Sequence, residues 1–221
     1  MILLIYGGAL GRQVYDLTQR NYPARWEKVI FINDFPQTGG GASERHLFEI
    51  LTFDEVSEKF KNNFSEIEAV VAVGEPRDRE TLYQKLKNAE IKIATLIDKT
   101  SKISPTATIG EGTIINEFST VHSKAIIGEN VLIDTFCKIS HDIKIGSHSV
   151  ISANAALGGR IIFGERVFVG MGAALKENIS IGNDAVIGMG SVVLKSIEDA
   201  VTVVGNPARV IKTAAQKVFK H

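Results

Sequence analysis

Residues 127–146 read "IGENVLIDTFCKISHDIKIG". Isoleucines 127, 133, 139 and 145 stand six apart in this stretch, and a glycine follows the first and the last of them. Stepped outward in sixes, the frame runs from Ile103 through Ile109, Ile115 and Val121, and on through Ile151, Leu157, Phe163, Val169, Leu175, Ile181 and Ile187 to Val193. All sixteen positions are apolar. The fifth place of each hexad is small or β-branched, as at Ala107, Thr113, Ser119, Ala125, Val131 and Cys137, and glycine recurs in the second place, as at Gly110, Gly128, Gly146 and Gly164. An α-helix repeats at 3.6 residues and a strand at two, so neither keeps a six-residue register for about ninety residues. Hexapeptide repetition predicts a parallel β-helix in which each coil buries a layer of aliphatic side chains against the next.

A longer period is laid over the first. "IGEG" at Ile109, "IGEN" at Ile127, "IGSH" at Ile145, "FGER" at Phe163 and "IGND" at Ile181 recur every eighteen residues. Three hexads therefore make one coil, and about five coils make a triangular prism. Residues eighteen apart should stack at the inter-strand spacing of roughly 4.8 Å. Cys137 falls in an inward fifth place and reads as core filler, not as a nucleophile.

The first hundred residues have a different pattern. "MILLIY" (1–6), "KVIFIN" (28–33), "EAVVAVG" (68–74) and "IKIATLI" (91–97) are short β-rich runs, and Gly11–Arg20, Thr52–Lys61 and Arg77–Asn88 between them have helical spacing. Strand–helix alternation predicts a small parallel sheet with covering helices, a Rossmann-like α/β domain over residues 1–98, followed by the β-helix and its tail over 99–221. "YGGALG" leads from the first strand into a helix, where backbone N–H groups and the helix dipole favour a phosphate. Its glycines do not complete a GxGxxG, and a plain strand-to-helix turn explains them about as well.

The 221 residues carry 25 acidic and 25 basic side chains. That balance argues against nucleic acid as a partner. No apolar run approaches the ~20 residues that span a bilayer, and no secretory leader is readable. The single cysteine fits a reducing compartment. The expectation is a cytoplasmic protein with no membrane partner.

The hexads, the "HD" at 141–142, the "GG" at 158–159 and the closing "VVGNPARVIK" at 203–212 resemble the left-handed β-helix acyltransferases. With "YGGALGRQVYDL" and "FINDF" (31–35), the whole chain, apart from a variable loop at Gly39–His46, resembles one branch of that family. The branch holds sialic-acid O-acetyltransferase-like proteins and the bacillosamine-type N-acetyltransferases that act on nucleotide-linked 4-amino-4,6-dideoxy sugars. The resemblance implies a left-handed coil, a homotrimer with sites between neighbouring prisms, and acetyl-CoA as co-substrate without a metal. It implies a place in glycan assembly such as lipopolysaccharide O-antigen biosynthesis.

Acetyl transfer from a thioester needs a base for the nucleophile, a donor for the developing oxyanion, and alignment of both substrates. Histidine suits the first task. His141 occupies a third place, at a prism corner, so it should point outward, with Asp142 orienting its ring as a carboxylate does in a triad. Gly159 lies eighteen residues on and should stack over His141, its N–H available to a thioester oxygen. By resemblance these are the base, its partner and the oxyanion donor. The bland alternative for the pair is a solvated turn. A three-histidine zinc site is disfavoured because His122 should stack beneath Ser140 and His148 lies one hexad further along. The family often has a second histidine nine residues after the first; here that residue is Val150.

The resemblance places acetyl-CoA beside the later coils, with Gly170, Gly172, Ala173, Gly188 and Gly190 admitting the pantetheine arm. Arg209 and Lys212 are its candidate phosphate partners. It places the acceptor's nucleotide on the first domain, with Gly7 and Gly8 at the diphosphate and Asn33 and Asp34 at the base or ribose. The expected reaction is N-acetylation of a UDP- or dTDP-linked amino sugar by direct attack in a ternary complex. The alternatives are O-acetylation of a sialic-acid-like sugar, or a silent nucleotide-sugar-binding scaffold.

Overall fold

The structure, a computed structural model, describes residues 1–34, 48–61, 63–213 and 217–219. The loop at Gly39–His46 lies outside them. The chain divides into two units, Met1–Val73 with Thr81–Ala94, and Gly74–Glu80 with Thr95–His221.

In the first unit, apolar runs of β-branched residues form a five-stranded parallel sheet. Its strands are β1 (Ile2–Tyr6), β2 (Lys28–Ile32), β3 (Glu49–Leu51), β4 (Ile67–Val71) and β5 (Lys92–Ile93), in the order β3-β2-β1-β4-β5. The helices are α1 (Ala9–Asn21), α2 (Phe53–Phe60) and α3 (Pro76–Asn88). The order reverses between β1 and β4, the switch point outside whose C-terminal strand ends doubly wound sheets bind their ligands. The core includes Leu4, Tyr6, Ile30, Ile32, Ala69 and Val71, each 0–1 % exposed. Glu68 is buried on β4 without being stranded: Arg25 (3.1 and 3.2 Å), Trp26 Nε1 (2.9 Å) and Lys92 (2.6 Å) all donate to it.

The "IKIATLI" run is not one strand. Ala94 N–H still donates to Ala69 in the first sheet, whereas Leu96 N–H donates to Thr113 in the β-helix. Ile91, Ile93, Ala94 and Leu96 are all buried, on both sides of the break, so composition does not mark the switch. The short strand β3 is an addition to the sequence reading.

In the second unit, each of the sixteen apolar hexad positions ends a two-residue strand, from Lys102–Ile103 to Val192–Val193. The strands stack into three parallel faces with pairings eighteen residues apart, as in Thr120↔Lys138 and Val121↔Ile139. The first face holds the strands ending at Ile103, Val121, Ile139, Leu157, Leu175 and Val193; the second holds those ending at Ile109, Ile127, Ile145, Phe163 and Ile181. The third starts at Leu96–Ile97 and finishes with Thr202–Val204 and the antiparallel Arg209–Lys212. From Ile115 upward the hexad residues are at most 5 % exposed. Burying each such side chain contributes about 1.5–3 kcal/mol before the entropy of ordering it.

The fifth places also face inward. Ala125, Val131 and Cys137 are at most 1 % exposed, and burial pushes the Cys137 thiol up to about 12. Where the fifth place is a hydroxyl, it bridges coils: Ser119 Oγ donates to Asp134 O (2.6 Å) and accepts from Cys137 N (2.9 Å). The fourth place of every hexad from Gly112 to Gly190 lies in the left-handed region, including Phe118, Phe136, Asp142, His148 and Asn154 at φ between 56° and 63°. Second-place glycines are imposed by the next coil, since a Cβ on Gly164 would stand 2.6 Å from Asn183 N.

Candidate active site

His141 and Asp142 form the corner between the first and second faces. The coil hydrogen bonds hold them there: Asp142 N–H donates to Ser123 O below, and Arg160 N–H above donates to His141 O, both at 3.0 Å. The side chains are 46 % and 45 % exposed, and His141 Nδ1 lies 2.7 Å from Asp142 Oδ2. This bond to the imidazole, with lesser help from Lys124 and Arg160 one coil either side, holds the Asp142 carboxyl below the usual carboxylate range. An ionised Asp142 favours the proton on Nδ1 and leaves Nε2 as the basic nitrogen. Among the described residues Nε2 has no hydrogen-bond partner.

Gly159 sits where the eighteen-residue rule put it. A Cβ there would stand 2.9 Å from both Nε2 and Cε1 of His141. Its carbonyl accepts from Asn178 N (3.0 Å), while its N–H has no partner among the described residues. An unblocked basic nitrogen and an unengaged backbone donor thus share one corner.

The residues expected at acetyl-CoA divide among different environments. Gly172 and Gly190 lie on another corner, between the third and first faces, in one column with Phe118, Phe136 and Asn154. A Cβ on either glycine would meet nothing within 4 Å. Phe136 adopts φ 59° where Gly172 adopts 68°, so the backbone does not demand glycine there; what glycine supplies is bare surface. The GNPAR turn closes over this corner, with Gly205 N–H on Ser191 Oγ (3.2 Å) and Ala208 N–H on Val192 O (2.8 Å), and its last residue, Arg209, is exposed. Lys212 ends the same strand, also exposed. Ala173 is different. It is fully buried, its N–H donates to Gly170 O and its carbonyl accepts from Ala156 N, so it presents no free group. Gly170 and Gly188 are second-place glycines whose Cβ sites are blocked by Met189 and Val204. In one chain, the His141 corner and the bare-glycine corner flank the first face from opposite sides. Residue numbers alone contain that separation, since 141 and 159 share a position in the eighteen-residue coil and 172 and 190 share a different one.

On the first unit, Gly7, Gly8, Asn33 and Asp34 follow the adjacent strands β1 and β2 at the C-terminal edge of the sheet. A Cβ on Gly7 would overlap the Ala72 carbonyl, and Gly11 packs against Phe31 and Ile5. Gly8 is the open one: it N-caps α1 with no side-chain cap and nothing within 4 Å of its Cβ site. Asn33 N–H donates to Leu51 O (3.0 Å). Asp34 is heavily engaged. Its Oδ1 accepts from Phe53 N at the start of α2 (2.7 Å), and its Oδ2 accepts from Lys85 (2.7 Å) and the Tyr6 hydroxyl. Burial opposes ionisation of Asp34, but these three donors outweigh it and lower its pKa; burial first and Asp34 second push the Tyr6 hydroxyl up. Sequence reasoning missed these partners, because Tyr6 and Lys85 read as a strand end and a helix surface.

The model of the bacterial transferase hexapeptide family (six repeats) matches residues 124–159, which include His141, Asp142 and Gly159. The fold is similar along nearly its whole length to the acetyltransferase domain of PglB from Neisseria gonorrhoeae FA1090. The two are 25 % identical with a TM-score of 0.83, covering 95 % of this chain and 99 % of that one. The chain is thus similar to hexapeptide-repeat transferases in the stretch that holds the candidate site, and to sugar acetyltransferases in its fold. WeeI from Acinetobacter baumannii AYE is similar at 27 % identity and a TM-score of 0.84, over 96 % of this chain and all of that one. A variant of perosamine N-acetyltransferase from Caulobacter crescentus, in complex with CoA and GDP-perosamine, shares the fold at 22 % identity and a TM-score of 0.84, over 96 % of both chains. A comparison of the chain with curated protein sequences gives no match.

Proposed function

We propose that the chain transfers an acetyl group from acetyl-CoA to the amino group of a nucleotide-linked 4-amino-4,6-dideoxy sugar. The observation that carries this reading is the His141 corner, where Nε2 and the N–H of Gly159, neither with a partner among the described residues, meet. The neighbours support the substrate class: the PglB domain is also known in complex with acetyl coenzyme A, and the Caulobacter enzyme with CoA and GDP-perosamine.

In this reading the acceptor amine attacks the thioester carbonyl carbon while Nε2 of His141 removes its proton. Asp142 holds the ring in the tautomer that makes Nε2 the acceptor and stabilises the imidazolium. Gly159 N–H faces the carbonyl oxygen as it gains charge. The C–N bond forms, the C–S bond breaks, and the imidazolium returns the proton to the departing thiolate. No acyl-enzyme is required, and buried Cys137 takes no part. Gly172, Gly190 and the GNPAR turn receive the CoA arm, with Arg209 at its phosphates and Lys212 a further candidate. Gly8 receives the diphosphate; Asn33 reads the base or ribose, and Asp34 shapes that edge from its anchored position.

The two corners lie on opposite sides of the first face, which supports a homotrimer in which the bare-glycine corner of one copy completes the His141 corner of the next. Both substrates belong to the cytoplasm. Among the described residues no helix is long and apolar enough to cross a membrane.

The test is thiol release from acetyl-CoA with UDP-, dTDP- and GDP-linked 4-amino-4,6-dideoxyhexoses and free sialic acid. Release with a nucleotide-linked amine is expected, and loss of turnover without loss of folding in His141→Asn. Release with sialic acid alone would replace N- by O-acetyl transfer, and failure to bind CoA would support the scaffold. Unchanged turnover in His141→Asn would remove His141 as the base.

A further inference from the structure

The coil beneath His141 carries polar groups that the mechanism leaves unused. Ser123 stacks directly under His141, its carbonyl receiving the Asp142 N–H at 3.0 Å. His122 and Thr120 precede it on the first face, where Thr120 pairs with Lys138 and Lys102 lies one coil lower. Together with Ser104 they line a recess of about 550 Å³. That is ample for one pyranose ring, since pockets of 300–1,000 Å³ take drug-sized ligands.

Partners separate the structural hydroxyls here from the available ones. Ser104 Oγ is spent locally, 3.1 Å from Thr106 Oγ1 and accepting from Thr106 N at 3.3 Å. By contrast, the side chains of Lys102, Thr120, His122 and Ser123 have no hydrogen-bond or ion-pair partner among the described residues. Two hydroxyls, an imidazole and an ammonium therefore face one recess, immediately below the corner that offers a basic nitrogen beside an unengaged N–H. Hydroxyls and imidazoles both donate and accept, which is what reading a ring of hydroxyl groups requires. Ile103 and Val121 complete the lining, so the recess offers an apolar floor beside these polar groups, as the two sides of a sugar ring require.

We propose that this recess is the acceptor's sugar subsite. The hexose ring lies over Thr120, His122 and Ser123, its amine directed up at His141 Nε2, and Ser123 with His122 reads the ring hydroxyl next to that amine. Lys102, one coil lower, meets the oxygens at the far end of the ring. These are positioning and specificity residues; none exchanges a proton with the reacting atoms. One coil step is roughly 4.8 Å, about the span of a pyranose, so a ring seated in the recess brings a substituent within reach of the next coil. The inference rests on the acetyl-transfer reading above.

The test uses whichever of the UDP-, dTDP- and GDP-linked 4-amino-4,6-dideoxyhexoses the wild-type protein turns over best, together with its analogue lacking the hydroxyl beside the amine. Ser123→Ala and His122→Ala are each expected to lower kcat/KM for the hydroxylated acceptor about tenfold, and to leave the deoxy analogue within about twofold. The KM for acetyl-CoA and the thermal midpoint should not move. Acceptor dissociation constants measured by calorimetry in the presence of CoA, in a His141→Asn background, should weaken by the same factor, because the loss is in binding. Equal losses for both acceptors would mean that neither residue reads that hydroxyl, and unchanged values for both would place the sugar elsewhere; either outcome overturns the proposal while leaving acetyl transfer intact. Absence of thiol release by the wild-type protein across the panel would instead sink the acetyl-transfer reading on which it stands.

Discussion

Replacing Gly159 by alanine puts one methyl group against the imidazole of His141. The added Cβ would stand 2.9 Å from Nε2 and Cε1, against an ordinary contact of about 3.5–4.0 Å, so the ring must retreat by roughly 0.6–1 Å. Retreat pulls Nδ1 from Asp142 Oδ2, now 2.7 Å away, and shifts Nε2 from the line of attack. A 1 Å misplacement of a reacting group costs about 10²-fold, equivalent to about 2.7 kcal/mol of transition-state stabilisation. The fold should not suffer. Gly159 is not in the left-handed region, and the displaced ring, 46 % exposed already, moves toward water. Alanine also narrows the unfolded ensemble, which stabilises by about 0.4–1 kcal/mol. The expected result is a kcat about a hundredfold lower, measured by thiol release, with an unchanged or slightly raised Tm. In His141→Asn the same change should cost almost nothing further, because both act through one ring. A Gly159→Ala protein with kcat within twofold of wild type, or with losses that add in full, would refute the geometry described for this corner.

Three other outcomes follow from the same structure. Gly172→Asn copies Asn154 of the same column, which sits at φ 60° against 68° for Gly172; it should raise the KM for acetyl-CoA at least tenfold and leave Tm within about 2 °C. His148 is buried, with Asn130 Nδ2 3.0 Å from its Nδ1, and burial lowers its pKa despite Glu80 and Glu165 and with Arg79 and Arg166 acting in the same direction as burial. Its contribution is therefore complete above the unfolded value of about 6.5 and is lost as pH falls; urea midpoints should drop from pH 7 to 5, and His148→Gln should flatten that slope. Glu68→Gln leaves Arg25 and Lys92 facing a neutral partner on a buried strand and should destabilise by about 1–3 kcal/mol in urea unfolding, discounted because both cations are partly exposed.

The β-helix was legible because its code is periodic. One apolar residue per six is what a two-residue strand with one inward side chain requires, and all sixteen such positions became strand ends. The stacking of Gly159 on His141 followed from the same arithmetic. The split of "IKIATLI" between two sheets was not legible, because an apolar run looks alike whichever sheet buries it. Ala173 looked like its glycine neighbours by size, yet its fifth place turns it into the core.

What the sequence by itself determined is which residues share a corner, because eighteen residues return the chain to the same edge. It also determined which side chains point inward, because the hexad place sets their direction. Only the tertiary structure decided which polar groups are already spent. Asp34 anchors Phe53 N, Lys85 and Tyr6, partners 19, 51 and 28 residues away, whereas the His141 ring, among the described residues, bonds its neighbour alone through Nδ1. Hydrogen-bond partners so far apart in the chain are chosen by the packing of whole elements, and no local period records them.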